Sequence, residues 1–160
     1  GHAYAGAPCM KIVTISLCFD GTNNHEPSDS EAKPSTTTNV ARLYHASLGR
    51  NENEVVRREG FYAYYMQGVG TEFKEIREFE PNSDGLTKAV GGENRINWGI
   101  TRVIDALKRA SGETYLDTDD AYALVQKMGT SLTEDVLGVS LFKNSYTRRQ
   151  EVLAAPLAEL

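Results

Sequence analysis

Lys11-Ile12-Val13-Thr14-Ile15-Ser16-Leu17-Cys18-Phe19, followed at once by Asp20-Gly21-Thr22-Asn23-Asn24, is the stretch that decides the fold. Its first nine residues are rich in β-branched and aromatic side chains. Ile12, Ile15, Leu17 and Phe19, with Val13, make both faces of an extended segment apolar. Such a strand belongs in the middle of a parallel sheet covered by helices on both sides. The five residues that follow combine glycine with short polar side chains, which is the composition of a tight turn. A strand is therefore predicted over 11–19, ending at Asp20.

Working outward, residues 1–10 are small and irregular and read as an N-terminal arm, with Gly1-His2 resembling the remnant of an expression tag. They lack the basic-then-apolar order of a signal peptide. Residues 25–38 are polar with two prolines, so they form a long loop, and a loop of that length in a compact domain is usually functional. Thr38 or Asn39 can cap a helix running through Val40, Leu43, Tyr44 and Leu48, with Gly49 as its stop. Residues 50–59 are charged and expected to be exposed. Gly60 to Gln67 is a second strand, dense in aromatics, ending in Gly68-Val69-Gly70-Thr71. Residues 72–92 read as a loop with at most one short helix. Ile96, Ile100, Val103, Ile104 and Leu107 recur at helical spacing and predict a helix over 95–110, closed by Gly112. Thr118, with Asp119 and Asp120 in the first turn, opens another helix to about Met128. Residues 130–160 are ambiguous and read as mostly helical, with Pro156 as a break.

Strands alternating with helices give an α/β class: part of a parallel, α/β-hydrolase-like sheet flanked by helices, with its first two strands neighbours or near-neighbours. Two strands are too few for a finished sheet, so 11–160 is expected to be the N-terminal portion of a larger catalytic domain, its remainder lying beyond residue 160.

Composition narrows the function. With 160 residues, 40% hydrophobic and 24% charged, the chain can build a core. A formal net charge of -5 argues against nucleic acid, whose phosphates call for a basic face. No apolar run approaches the roughly 18 residues of a membrane span. Cys9 and Cys18 are expected to be reduced, Cys18 because it sits inside a buried strand and Cys9 because it lies in a loose arm.

The candidate site begins at Asp20, Gly21, Thr22 and Asn23, since open α/β sheets bind ligands at the carboxyl ends of their strands. Exposed backbone N–H groups beside glycine can hold an oxyanion; the competing reading is a turn whose Asp and Asn bond their own backbone. A D-x-D-G-T phosphatase would need an aspartate nucleophile two residues before Asp20, where Cys18 stands, so that mechanism is rejected. Gly68, Gly70 and Thr71 form a second turn that shapes a site or is purely structural. It is neither a P-loop, which needs a lysine, nor G-x-G-x-x-G. Gly129-Thr130-Ser131-Leu132-Thr133 and Gly138-Val139-Ser140-Leu141-Phe142 approach G-x-S-x-G but lack its second glycine, so no nucleophile is found. Of the histidines, His2 lies in the arm, His25 is expected to be solvated and His45 to lie on a helix surface. Asp20, Glu26, Asp29 and Glu31 offer hard oxygen ligands, so calcium is possible, but the spacing matches no EF-hand and no metal is required.

Three of these segments together resemble the type VI secretion lipase effectors, the Tle-type α/β-hydrolases. Phe19-Asp20-Gly21-Thr22-Asn23-Asn24 resembles their F-D-G-T-x-N turn. Asn39-Val40-Ala41-Arg42-Leu43 resembles their N-V/I-x-R/K-L helix start. Tyr64-Tyr65-Met66-Gln67-Gly68-Val69-Gly70-Thr71 resembles their Y-Y-x-x-G-V-G-T strand end. The likeness covers roughly residues 11–110. It implies a serine esterase that removes acyl chains from membrane phospholipids as an antibacterial effector, with its nucleophile in a G-F-S-R-G string on the strand after the long helix. It implies secretion without a signal peptide, action at a target-cell membrane from the periplasm, and an immunity protein and a secretion-spike protein as partners. Two other readings compete: a noncatalytic module binding such a partner, and a metal-dependent phosphoesterase built on Asp20.

Overall fold

The computed structural model describes residues 10–25, 37–50, 53–79, 91–129, 133–136, 139–142 and 145–160, with only the backbone over 133–145. The first strand, β1 (Thr14–Phe19), lies parallel to β2 (Phe61–Met66), with Thr14 opposite Phe61 and Phe19 opposite Met66. The adjacency and direction match the expectation. β1 starts three residues later than predicted, and Ile12 is 84% exposed ahead of it. The chain leaves the sheet there: Thr14 N–H donates to Gly60 O, the last bond before β1 parts from β2.

Strand alternation divides the pair into two faces. Ile15, Leu17 and Phe19 share a face with Tyr62, Tyr64 and Met66, and this face meets the long helix α3 (Gly92–Ala110). The approach is close enough that a Cβ on Gly99 would lie 2.8 Å from Phe19 Cζ. The opposite face, carrying Ala63 and Tyr65, meets α1 (Asn39–Ala46), where Ala41 is fully buried and the Tyr44 and Tyr65 rings stack 5.7 Å apart. Thr38 is the α1 cap, its Oγ1 accepting from Ala41 N–H. The helix ends at Ala46, short of the predicted Leu48, because Ser47 turns extended there.

Residues 50–59, expected to be exposed and charged, contain a short helix α2 (Glu54–Arg58) that buries Arg57. Arg57 escapes the usual cost of a buried charge by donating to Gly49 O at 3.0 Å and lying over the Tyr62 and Tyr64 rings. Gly49 O also accepts from Ala63 N–H and so covers part of β2's outer edge. Lys74–Ile76 is a short 3-10 turn, the one short helix expected in that loop.

Helix α3 begins three residues before the predicted start, and its C-terminus is closed as predicted at Gly112 (φ +78), with Glu113 N–H returning to Lys108 O. The apolar stripe is only part of its buried face: Ile104 is buried and Ile96 is 48% exposed, while Trp98, Thr101 and Asp105, off the stripe, are also buried. The reason is a second layer. Helix α4 (Thr118–Gly129), started by Asp117 capping Asp120 N–H, also packs on α3, so α3 buries residues against more than the sheet. The core joins Tyr62, Tyr64, Met66, Phe73, Trp98 and Val125, with Phe73 set edge-on to Trp98 at 6.0 Å.

The expectation that 130–160 is mostly helical is corrected by an antiparallel hairpin, β3 (Thr133–Val136) with β4 (Val139–Phe142), before helix α5 (Ser145–Ala158). β-branched and aromatic residues in Thr133–Phe142 favour strands locally, a signal obscured by the short length of each piece. Pro156 does not break α5; it lies in its last turn, two residues before Ala158.

Candidate functional site

Both turn motifs sit at the carboxyl end of the parallel pair, and the structure brings them into one body. Asp20 N–H donates to Met66 O at 3.0 Å, continuing the strand ladder by one residue. Its carboxylate then organises the turn. Oδ1 accepts from Gly21 N–H at 2.8 Å, and Oδ2 accepts from Thr38 Oγ1 at 2.7 Å and from Tyr65 Oη at 2.6 Å. One side chain thereby ties the end of β1 to the cap of α1 and to β2. Removing only the hydroxyl, by Tyr65→Phe, is expected to cost about 1.5–3 kcal/mol, the range for a hydrogen bond to a charged group, read as a lower midpoint in urea.

Past Asp20 the chain turns through Asn23, whose φ is 63°, a left-handed conformation that asparagine tolerates. Asn24 N–H closes the turn onto Gly21 O at 3.0 Å. The second loop then docks against it: Asn23 N–H donates to Val69 O at 2.8 Å, and Gly68 N–H donates to Asn24 O at 2.8 Å. Gly68 has no room for a side chain, since a Cβ would lie 1.7 Å from Gly21 O. Gly70 takes a φ of +86°, and buried Thr71 closes the second loop with its Oγ1 on Gly68 O at 2.8 Å.

Arg95 holds that second loop from behind. It is 3% exposed and spends its guanidinium on four acceptors: Gln67 O at 2.8 Å, Thr71 O at 3.0 Å, Gly91 O at 3.2 Å and Glu78 Oε2 at 2.7 Å. The Arg95–Glu78 pair and the bonds of Tyr65 and Thr38 to Asp20 carry no signal in the sequence. Buried ion pairs look like surface charge in a sequence, and only the register of Tyr65 opposite Cys18 places its hydroxyl near Asp20.

Within the first turn one backbone N–H is left unclaimed. The Gly21 N–H is taken by Asp20, the Asn23 N–H by Val69 and the Asn24 N–H by Gly21. The Thr22 N–H has no acceptor among the described residues, and Thr22 is exposed on the outer side of the turn. What the two loops can do chemically is present that donor, rigidly, to an anionic oxygen.

Other candidates lie elsewhere. Ser140 falls inside β4 opposite Asp135, in a strand and not in a strand-to-helix turn, while Ser131 lies outside the described residues. His45 is exposed in the last turn of α1, its Nδ1 3.3 Å from Arg50 Nη1, and His25 is half-buried just past the turn. Glu26, Asp29, Glu31, His2 and Cys9 lie outside the described residues. Among the described residues no group of three His, Cys, Asp or Glu gathers around a common point. Cys18 is a free thiol, and burial pushes its pKa up. Two cavities, of about 250 and 310 Å³, lie away from the loops, one beside Val13 and Leu107, the other between α3, α4 and α5. No helix of the described residues is long and apolar enough to cross a membrane.

Residues 13–124 match the family model for the catalytic domain of the type VI secretion, Tle1-like phospholipase effectors. A crystal structure of an uncharacterized protein from Pseudomonas aeruginosa superposes with a TM-score of 0.77 and 38% sequence identity. The match covers 92% of this chain and 20% of that one, so the chain spans about a fifth of the length of that structure. No curated protein matches the chain.

Proposed function

Because the chain belongs to the Tle1-like phospholipase effectors of type VI secretion, we propose that it contributes the oxyanion-binding loop of a serine phospholipase that hydrolyses acyl esters of membrane lipids. The observation that carries this reading is the free Thr22 N–H, held outward by the Asp20 carboxylate and by the docked Gly68 loop. In acyl transfer the tetrahedral intermediate places a negative charge on the former carbonyl oxygen. A donor fixed in advance stabilises it without reorganisation. Asp20 is a positioning residue here: it engages the neighbouring Gly21 amide and leaves that of Thr22 outward.

The nucleophile, its histidine and its acid lie outside these residues, and a second oxyanion donor comes from the residue after the serine. The sheet has room for the strand that would carry them. β1 is paired only with β2 among the described residues, and on α3 Ile96 is 48% exposed while Ile100, Val103 and Leu107 are partly exposed. We place residues 11–160 in an α/β-hydrolase catalytic domain on this basis. The protein acts as an antibacterial effector on target-cell phospholipid, from the periplasm, checked by an immunity protein and delivered with a spike protein.

The test uses a full-length phospholipase carrying this segment and a fluorogenic phospholipid. Hydrolysis is expected to survive a chelator and to be blocked by a fluorophosphonate, which phosphonylates a serine nucleophile with loss of fluoride. Gly21→Val, which crowds Asn24 Nδ2, should lower turnover about 100-fold or more. Near-normal turnover in that variant removes the oxyanion role, and loss of activity with the chelator favours a metal enzyme.

A further inference from the structure

The turn that presents Thr22 carries a second donor, on a side chain. A Cβ added at Gly21 would meet Asn24 Nδ2 at 2.9 Å, so the asparagine carboxamide stands against the open side of Gly21. Asn24 is half-buried. Its carboxamide can give two hydrogen bonds and accept others, yet it has no partner among the described residues. Around it, the side chains of Asp20, Thr38, Tyr65 and Thr71 are all engaged within the protein.

The backbone alone holds Asn24 in place. Its N–H donates to Gly21 O at 3.0 Å, and its carbonyl accepts from Gly68 N–H at 2.8 Å. The residue before it is pinned too, with Asn23 N–H on Val69 O at 2.8 Å. Asn23, not Asn24, takes the left-handed conformation, so the backbone at 24 accepts any side chain without strain. A carboxamide thus leaves a fixed Cα with no structural bond of its own to keep.

We propose that Asn24 is a catalytic residue, its Nδ2–H joining the Thr22 N–H on the carbonyl oxygen of the scissile ester. The assignment rests on the serine-phospholipase reading above and deepens it. Covalent geometry from Gly21 puts Nδ2 within about 7 Å of the Thr22 nitrogen. One oxygen at about 3 Å from each serves donors about 6 Å apart, and rotation of an unbonded carboxamide covers the difference. As the ester carbonyl becomes an alkoxide, charge grows on that oxygen, and the carboxamide stabilises it without giving up a proton. The same placement gives glycine at 21 a purpose, since a side chain there would displace the donor.

The experiment compares a full-length phospholipase carrying this segment with its Asn24→Ala and Asn24→Asp variants. Aspartate keeps the shape of the side chain but replaces the donating nitrogen by an oxygen that only accepts. Both variants are expected to lower kcat about 100-fold or more, with KM and the urea midpoint little changed. If Asn24 merely packed against Gly21, Asn24→Asp would stay near the parent; a near-parent kcat in either variant overturns the assignment. So does a loss of kcat that appears only together with a lowered urea midpoint. Should Asn24→Ala fail to fold, the isosteric Asn24→Asp decides alone. Fluorophosphonate treatment of the parent separates the two levels. A parent that is blocked while the variants stay active keeps the serine reading and loses only Asn24. A parent indifferent to the reagent removes the serine reading and this assignment with it.

Discussion

In a full-length phospholipase carrying this segment, Gly68→Ala is expected to lower phospholipid turnover by about 100-fold or more. The added methyl would occupy a position 1.7 Å from Gly21 O and 2.7 Å from Gly21 C. Those are backbone atoms of the turn that presents Thr22, so no side-chain rotation relieves the contact. The Gly68 loop must retreat, which breaks the Gly68 N–H to Asn24 O and Asn23 N–H to Val69 O bonds that hold the two loops together. Forced shifts of this kind cost about 1–3 kcal/mol in stability, and turnover should fall further because the donor loses its position. Gly92→Ala is the internal control. Gly92 opens α3 without a left-handed φ, and a Cβ there meets nothing nearer than Val69 Cγ2 at 3.7 Å. That variant should match the parent or gain about 0.4–1 kcal/mol. Turnover measured alongside urea unfolding separates the two effects.

The largest loss of stability is expected from Arg95→Met. The substitution keeps much of the stem but strips the four acceptors of their donor and leaves the Glu78 carboxylate without its cation. Breaking a buried pair from one side costs about 3–5 kcal/mol. Arg95→Lys should recover little of it, because an ammonium cannot span Gln67 O, Thr71 O and Glu78 Oε2 as a planar fork does. Chemical denaturation of both variants is the check; a lysine variant as stable as the parent would mean that charge alone, without the fork, holds the loop.

How much of this was legible in the sequence depends on which force fixed each feature. The apolar run before Asp20 and the aromatic run before Gln67 announced two strands, and their pairing followed from the helical segment between them. The glycines of the two turns were visible as punctuation. That they would touch was not, because the contact of Gly68 with Gly21 depends on the register of β1 on β2. Buried charge was the main blind spot. Arg57 and Arg95 sit among exposed charged residues in the sequence, and only tertiary structure supplies the carbonyls and rings that make their burial tolerable. The buried face of α3 is wider than its apolar stripe for a related reason: Asn97 accepts from Arg149 on α5, Asp105 from the Leu116 amide ahead of α4, and Thr101 bonds back to Trp98 O, partners that an apolar stripe does not announce.

The central claim is that the Thr22 amide holds the oxyanion. The measurement that reaches it most directly replaces the amide between Gly21 and Thr22 by an ester in the full-length enzyme, deleting one N–H and keeping every side chain. Steady-state phospholipid hydrolysis should then show kcat reduced about 100-fold with KM little changed, the pattern of a contact made in the transition state. An unchanged kcat in a folded, ester-substituted enzyme would contradict the account and return the turn to a structural role.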